Sequence, residues 1–463
     1  MARERNEELA TLLDEAGWSR AQAAAAYNRV ATETLNGAVA ENSTIGRSHV
    51  SMWVAGVRPT GVAPAILCQA LSRRLKREVT CQEMGWASTA SPVSTTLDWG
   101  VDPLIALSDL GSGVNTDRRR LLAGSVYSAA ALTLPAATWW TAMSSSPDQG
   151  APGGARVGRG DVETVQELTL AFSRMDQKRG GGHGRLAVDA YLFHEARGFI
   201  QGRFADDATR RSMLAATAEL SYVSGWMAFD NSEHAVALSR FNTAIKLAAR
   251  SGDAPLIGHI LRAVAHQALD LGFRREALQW AQASVTGENY AAATPRERAL
   301  LQVVHARTLA ANKHTAQATR ALRQAEDDLS NAHEGIREPD RTFFFGEASL
   351  AHETACTLRD LGDHQGAVRE FRRSVHTRGA AFRRTHAVTL GYMAATQIAQ
   401  GHVEEACATW AGVLDAMEGG IYSGRARQRV IDMRTLLSPY RRRGISAVGI
   451  LDARAASYLA QVD

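Results

Sequence analysis

Eight side chains spread through the C-terminal half, Tyr222, Trp226, His259, Arg262, His266, Arg307, His352 and Arg359, are of types that hold carboxylates, phosphates or acidic peptides. Guanidinium groups bind such ligands through paired, charge-assisted hydrogen bonds, and their planar fork suits an oxyanion better than a lysine does. Asp230, Asp270 and Asp360 fall near the rim of the same expected groove. Catalytic chemistry is not indicated. His259 and His266 are seven residues apart, two helical turns, which is too far for two ligands of one zinc ion without a loop partner. There is no histidine pair with an acid at helical spacing, no nucleophile elbow and no supported carboxylate pair. The glycine run Gly180-Gly181-Gly182-His183-Gly184 lacks the Lys-Ser/Thr sequel and the preceding strand of a phosphate loop, and reads as a flexible inter-helix turn. The expectation is a binding protein with no enzyme activity, no cofactor and no metal.

Those side chains need a scaffold, and the sequence supplies a periodic one. Small residues stand twelve positions apart in five stretches: Gly225 with Ala237, Ala265 with Ala277, Ala306 with Ala318, Ala355 with Ala367, and Ala394 with Ala406. The second members are 40, 41, 49 and 39 residues apart. Further small or apolar side chains follow at four and seven residues, as in Phe241 and Ala244, Phe371 and Ser374, and Trp410 and Val413. Small residues where two helices cross, followed by an amphipathic second helix, are the pattern of a tetratricopeptide-like α-solenoid. Its first helices line the concave face, and counting from the anchors places the eight side chains there.

Composition sets the outer bounds. A chain of 463 residues with 45% hydrophobic and 22% charged residues folds as more than one unit, and a formal charge of +4 does not by itself imply a nucleic-acid partner. The four cysteines, Cys68, Cys81, Cys356 and Cys407, lie far apart and read as reduced thiols. The first residues alternate Arg and Glu instead of running basic then apolar, so the expected location is cytoplasmic. Arg118-Arg119-Arg120 precedes an uncharged stretch from Leu121 to Trp140 that a twin-arginine signal or a membrane span would resemble. Its Gly124, Ser125, Ser128, Thr133, Pro135 and Thr138 favour an Ala-rich helix packed on the repeats, and no membrane partner is expected. Residues 88–115 and 144–160, rich in Ser, Thr, Gly and Pro, read as linkers. The expected division is therefore 1–87, 88–160 and 161–463.

Residues 1–87 carry four short helical patterns. Leu9, Leu12 and Leu13 share a face that ends at Gly17; Ser19 caps a second helix; a third spans about Arg47 to Ala55 with Gly56 and Pro59 beyond; a fourth runs from Ala63 to Lys76. The run Ser48-His49-Val50-Ser51-Met52-Trp53-Val54-Ala55-Gly56-Val57-Arg58-Pro59 has a polar start, Val50 and Trp53 at core positions, and a glycine turn. The run resembles the recognition helix of phage-repressor-type helix-turn-helix domains, and that resemblance implies that its first exposed residues, Arg47, Ser48 and Met52 with His49 beside them, meet base edges in the major groove. Arg47 is the strongest candidate, because a guanidinium binds both acceptors of guanine. Arg20 and Arg58 would neutralise phosphates. The interval from Tyr27 to Gly46 is longer than a tight turn, and residues 1–86 hold ten Lys/Arg against nine Asp/Glu, so dimerisation is expected to supply further phosphate contacts.

That run, with Leu67, Leu71 and Leu75 and the closing Val79, Met84 and Trp86, resembles the recognition helix and last helices of phage-repressor-type helix-turn-helix domains, the Xre class. The whole arrangement is similar to actinobacterial Xre-type transcription regulators with C-terminal tetratricopeptide repeats, a group that includes repressors of sporulation and antibiotic production. The stretch Leu220-Ser221-Tyr222-Val223-Ser224-Gly225-Trp226-Met227-Ala228-Phe229-Asp230 adds to the likeness. The resemblance implies an all-α protein that binds double-stranded DNA as a homodimer and holds a small-molecule or peptide effector in its groove. A repeat scaffold without DNA binding is the alternative. Regulators that bind short peptides in a repeat groove are similar at the level of architecture alone.

Overall fold

Small side chains decide where the helices of the C-terminal half cross. A computed structural model of the chain describes residues 5–34, 44–59, 63–75, 79, 83–86, 97–112, 130–145, 155–441 and 443–462. Apart from one two-residue parallel strand pair, β1 (Arg156–Val157) with β2 (Arg203–Phe204), its regular elements are helical. Among the described residues, no helix is long and apolar enough to cross a membrane.

The head is built from α1 (Glu7–Glu15), α2 (Arg20–Thr34), α3 (Arg47–Val54) and α4 (Ala63–Leu75). Leu9, Leu12 and Leu13 face a core that holds Tyr27, Val50, Trp53, Leu67, Leu71, Val79, Met84 and Trp86. Trp53 is gripped between the rings of Tyr27 and Trp86, at centroid distances of 5.9 and 6.2 Å. Ser19 and Gln22 cap α2 reciprocally, Gln22 N–H to Ser19 Oγ and Ser19 N–H to Gln22 Oε1. Asn6 ties the two ends of the head together by donating to the Met84 carbonyl at 2.7 Å. The long interval before α3 is partly helix, because α2 continues to Thr34. Residues 35–43 lie outside the described residues.

Downstream, α5 (Pro103–Ser112) and α6 (Ala137–Ser145) lie in the stretch read as linker, and both are packed on the repeats. Trp280 donates to the Leu132 carbonyl at 2.6 Å, Lys246 to the Asp98 carbonyl at 2.5 Å, and Arg250 pairs with Asp102 at 2.6 Å. Leu107, Leu110, Leu132 and Met143 join the main core. Composition alone hid this, because Trp99 and Trp139 pack their rings against the core and donate their N–H groups to the distant carbonyls of Thr133 and Trp99. The described part of the stretch from Leu121 to Trp140 packs on the repeats, but not as one helix. A turn at Ala130–Leu132 and extended residues around Pro135 precede α6. The Arg118-Arg119-Arg120 run and residues 121–129 lie outside the described residues.

The repeat region opens with α7 (Arg159–Arg179) and α8 (Arg185–Ala190), the latter continuing through a π-type turn to Ile200. Six antiparallel hairpins follow: α9 (Asp207–Asp230) with α10 (His234–Ser251), α11 (Ala254–Asp270) with α12 (Arg274–Ser284), and α13 (Pro295–Ala311) with α14 (Thr315–Ser330). Then come α15 (Glu347–Leu361) with α16 (His364–Thr377), α17 (Arg383–Ala399) with α18 (Val403–Glu418), and α19 (Gly424–Arg441) with α20 (Ser446–Val462). The nine anchor alanines are fully buried. A Cβ on Gly225 would come within 2.8 Å of the Phe241 ring, so that crossing admits nothing larger than glycine without a shift. The hairpin turns repeat with the anchors: Ser232, Gly272, Lys313, Gly362 and Gly401 all have positive φ. Their spacing of 40, 41, 49 and 39 residues reproduces the anchor spacing. The long third interval is an inserted loop, 331–346, that carries Arg341 and Phe343–Phe345 inward. The sixth hairpin was not anticipated from the anchors.

The stack also winds back on itself. Arg384 at the start of α17 pairs with Asp176 of α7 and Asp230 of α9, at 3.1 and 3.2 Å. Tyr422 N–H donates to the Arg179 carbonyl at 2.7 Å, and Gly182 N–H to the Tyr422 carbonyl at 3.0 Å. The glycine run, read as a flexible turn, is thus a packed seam: a Cβ on Gly180 would meet the Tyr422 carbonyl at 2.3 Å, and one on Gly181 the Met227 carbonyl at 2.2 Å.

Candidate functional site

Two places collect the residues singled out from sequence. In the head, Arg20, Arg47, Ser48, His49 and Arg58 are exposed, and Met52 is 44% exposed on the outward side of the helix whose inward side carries Val50 and Trp53. Among the described residues, neither Arg20 nor Arg47 makes an ion pair, and both are exposed. His49 acts locally, where its Nδ1 accepts the Gly46 N–H at 3.1 Å and caps the first turn of α3. The proton of the neutral ring then sits on Nε2, which is left to face outward. Asn28 fixes the entry to α3 by bonding both backbone groups of Ile45, at 2.8 and 2.9 Å. Sequence reading missed Asn28, because one asparagine on a helix carries no pattern.

In the repeats, the eight expected groove residues form one continuous network, and most are buried. Arg262 donates to the Tyr222 hydroxyl at 2.8 Å and lies over the Tyr222 and Trp226 rings. The His259 Nε2 accepts from Arg262 at 3.3 Å, which puts its proton on Nδ1, facing Glu297 at 3.3 Å. His266 meets the Trp226 ring and accepts on Nε2 from both Arg307 and Arg425, at 3.3 and 3.2 Å. Arg307 pairs with Asp270 at 2.8 Å and Glu353 at 3.2 Å. His352 bonds the Thr389 hydroxyl through Nδ1 at 2.9 Å. Arg359, half-buried beside Asp360, lies 5.1 Å from the Tyr392 ring centre, and the same ring also contacts His352.

The interior is therefore narrow and lined with salt bridges, where an open groove was expected. Asp230, expected near the rim, is fully buried, accepting from Gly181 N–H, Ser423 and Arg384. Arg425 reaches Asp270 from the sixth hairpin at 3.0 Å, and Arg341 binds Glu297 and Glu219 at 2.6 and 2.9 Å. Burial dominates the titration of these groups. It pushes His259 down to about 4 and His266 and His352 well below their ordinary value. Burial raises Asp176 to about 7 against the pull of Arg384. On Asp270 burial acts upward, but Arg425 and Arg307 outweigh it and hold the carboxyl far below the usual range. Arg341, Arg378, Arg384 and Arg425 escaped the sequence reading: they sit on the inserted loop, at helix ends or on the unanticipated hairpin, where counting from the anchors does not reach.

A cavity of about 60 Å³ remains at the centre, bordered by Trp226, Arg262, Arg378, Arg384 and Arg425 among others. An acidic peptide does not fit it; the space suits roughly four to six waters or one small group. On the outer face, a wider concavity of about 1450 Å³ runs between α12 and α14, with Leu132–Leu134 at its edge. No three His, Cys, Asp or Glu side chains among the described residues are grouped as a metal would require. Cys356 is buried against His352, and burial pushes its thiol up to about 11.

A family model described as the SP15 N-terminal domain matches residues 9–87, the extent of the head. No curated protein matches the chain.

Proposed function

We propose that the chain is a cytoplasmic DNA-binding transcription regulator whose head reads double-stranded DNA through α3 and whose repeat region carries an effector and holds two chains together. The observation that carries this reading is the division of α3 into two sides. Val50, Trp53 and Val54 are sunk in the head core, while Arg47, Ser48 and Met52 stand in solvent at its first turns. Such a helix presents a cation for guanine acceptors, a hydroxyl for either base and an apolar end for a thymine methyl. Arg20, at the first turn of α2, and Arg58, just past the glycine turn, are exposed cations that would meet phosphates. His49 is occupied in capping α3, so its role is positional.

The alternative, a scaffold that binds proteins and no DNA, draws support from the near-neutral head, with ten basic against nine acidic residues over 1–86. Sequence enrichment separates the two. The intact protein is mixed with sheared genomic DNA, recovered, and the bound fragments sequenced. The regulator reading predicts a shared motif of two related half-sites, as a two-fold dimer requires. Recovery of fragments with no common sequence would favour the scaffold.

A further inference from the structure

Buried guanidinium groups are costly to desolvate unless a partner faces them, and the partners around the central cavity are unevenly shared. Of the four arginines on its wall, Arg384 faces Asp176 and Asp230, and Arg425 faces Asp270. The one carboxylate on the wall, Glu353, goes to Arg307. Arg262 and Arg378 make no ion pair within 4 Å among the described residues; Glu353, already paired with Arg307, acts on Arg378 only from farther away. Arg262 is 1% exposed, and its polar contacts are the Tyr222 hydroxyl and a histidine nitrogen. Arg378 donates to Ser374 and to the Ala348 carbonyl, both neutral. Burial, with the charge of Arg384 beside it, lowers the Arg378 pKa to about 10 against the pull of Glu353. The Nε of each of these two arginines and the Nε1 of Trp226 are buried without a hydrogen-bond partner. A buried donor left without a partner calls for an explanation, and an ion or water on the cavity is one.

We infer that the central cavity is a binding site for a small oxyanion, the phosphate or carboxylate of a small molecule, held by Arg262 and Arg378 with the Trp226 indole N–H as a further donor. The volume of about 60 Å³ admits a phosphate or a short carboxylate and excludes a peptide. The wall joins residues from α7, α9, α11, α13, α15, α17 and α19, with Arg378 just past the end of α16, so an anion there would tie the first hairpins to the last. The inference rests on the regulator reading solely in making that anion its effector.

Binding is measured without DNA, so its failure and the failure of DNA recognition are told apart. Inorganic phosphate and acetate are each titrated calorimetrically into the intact protein in a chloride buffer of constant ionic strength. Saturable binding of phosphate, acetate or both is expected, at least tenfold weaker in Arg262→Gln and in Arg378→Gln. Phosphate alone would assign a phosphoryl group, acetate alone a carboxylate. Trp226→Phe keeps the ring and removes the N–H; it should weaken binding several-fold with an unchanged circular-dichroism spectrum, which covers the case in which an arginine variant fails to fold. No saturation by either anion, or equal affinity in every folded variant, would overturn the inference.

Discussion

Arg47 and Arg20 carry the same charge in different places, and the proposed function gives them different work. Arg47→Ala should weaken binding to the preferred sequence by about 1–3 kcal/mol and flatten the preference at one base position, whereas Arg20→Ala and Arg58→Ala should weaken all sequences alike. A panel of single-base variants of the enriched site reads the difference. Acid sensitivity tests the interior. His259 titrates near 4 in the folded chain and near its ordinary 6.5 when unfolded, so the unfolded state takes up protons that the native state refuses. The stability this neutral ring allows is full above about 6.5 and is lost toward pH 4, at about 1.4 kcal/mol per pH unit. His266 and His352 act in the same direction. Asp176, raised to about 7, opposes them, since its native carboxyl holds a proton that the unfolded one releases. Burial likewise lowers His234, His305 and His386 and raises Glu219, so six rings outweigh two carboxyls: the urea midpoint should fall between pH 7 and pH 5, and His259→Gln should flatten the slope. A midpoint that rises over this range would refute the assignment. At this scale the types of the interior residues were legible, because Arg and His at first-helix positions face inward. Their pairing was not, since Asp176, Glu297 and Glu353 come from the separate helices α7, α13 and α15, which only the winding of the stack brings together.

The glycine seam acts at the scale of elements. Gly181 passes so close to the Met227 carbonyl that a single methyl cannot be added without moving backbone. Gly181→Ala should therefore lower stability by about 1–3 kcal/mol, seen as a drop in Tm, by forcing α7 away from α9. An unchanged Tm would mean that the seam is loose. Five of the six hairpins could be read from the small-residue anchors, since two helices that close up at Ala265 and Ala277 leave room for nothing larger. The head helices were equally legible from Leu9, Leu12 and Leu13 and from Gly17 and Gly56. What composition concealed was the docking of residues 97–112 and 130–145, whose tryptophans pack against the core of the repeats. The seam was hidden for another reason: a glycine run looks the same whether it is free or pressed against a distant carbonyl.

At the scale of the whole molecule, a head with ten basic and nine acidic residues offers few phosphate contacts, so two heads are needed for useful affinity. Light scattering at micromolar concentration should find two chains per particle; a monomer would leave the proposed regulator without its second half-site. The central claim, that the head binds DNA through α2 and α3, is met most directly by fluorescence anisotropy of a labelled duplex from the protein's own promoter, beside an unrelated duplex of equal length. The titration is run at about 50 and 200 mM salt with the parent and with the Arg20→Ala, Arg47→Ala double variant. About three phosphate contacts per bound unit would weaken binding roughly 40-fold over that change. Saturable binding is expected that favours the promoter, falls steeply with salt, and is lost in the double variant. Absence of binding to either duplex at low salt, or a double variant as tight as the parent, would contradict the claim.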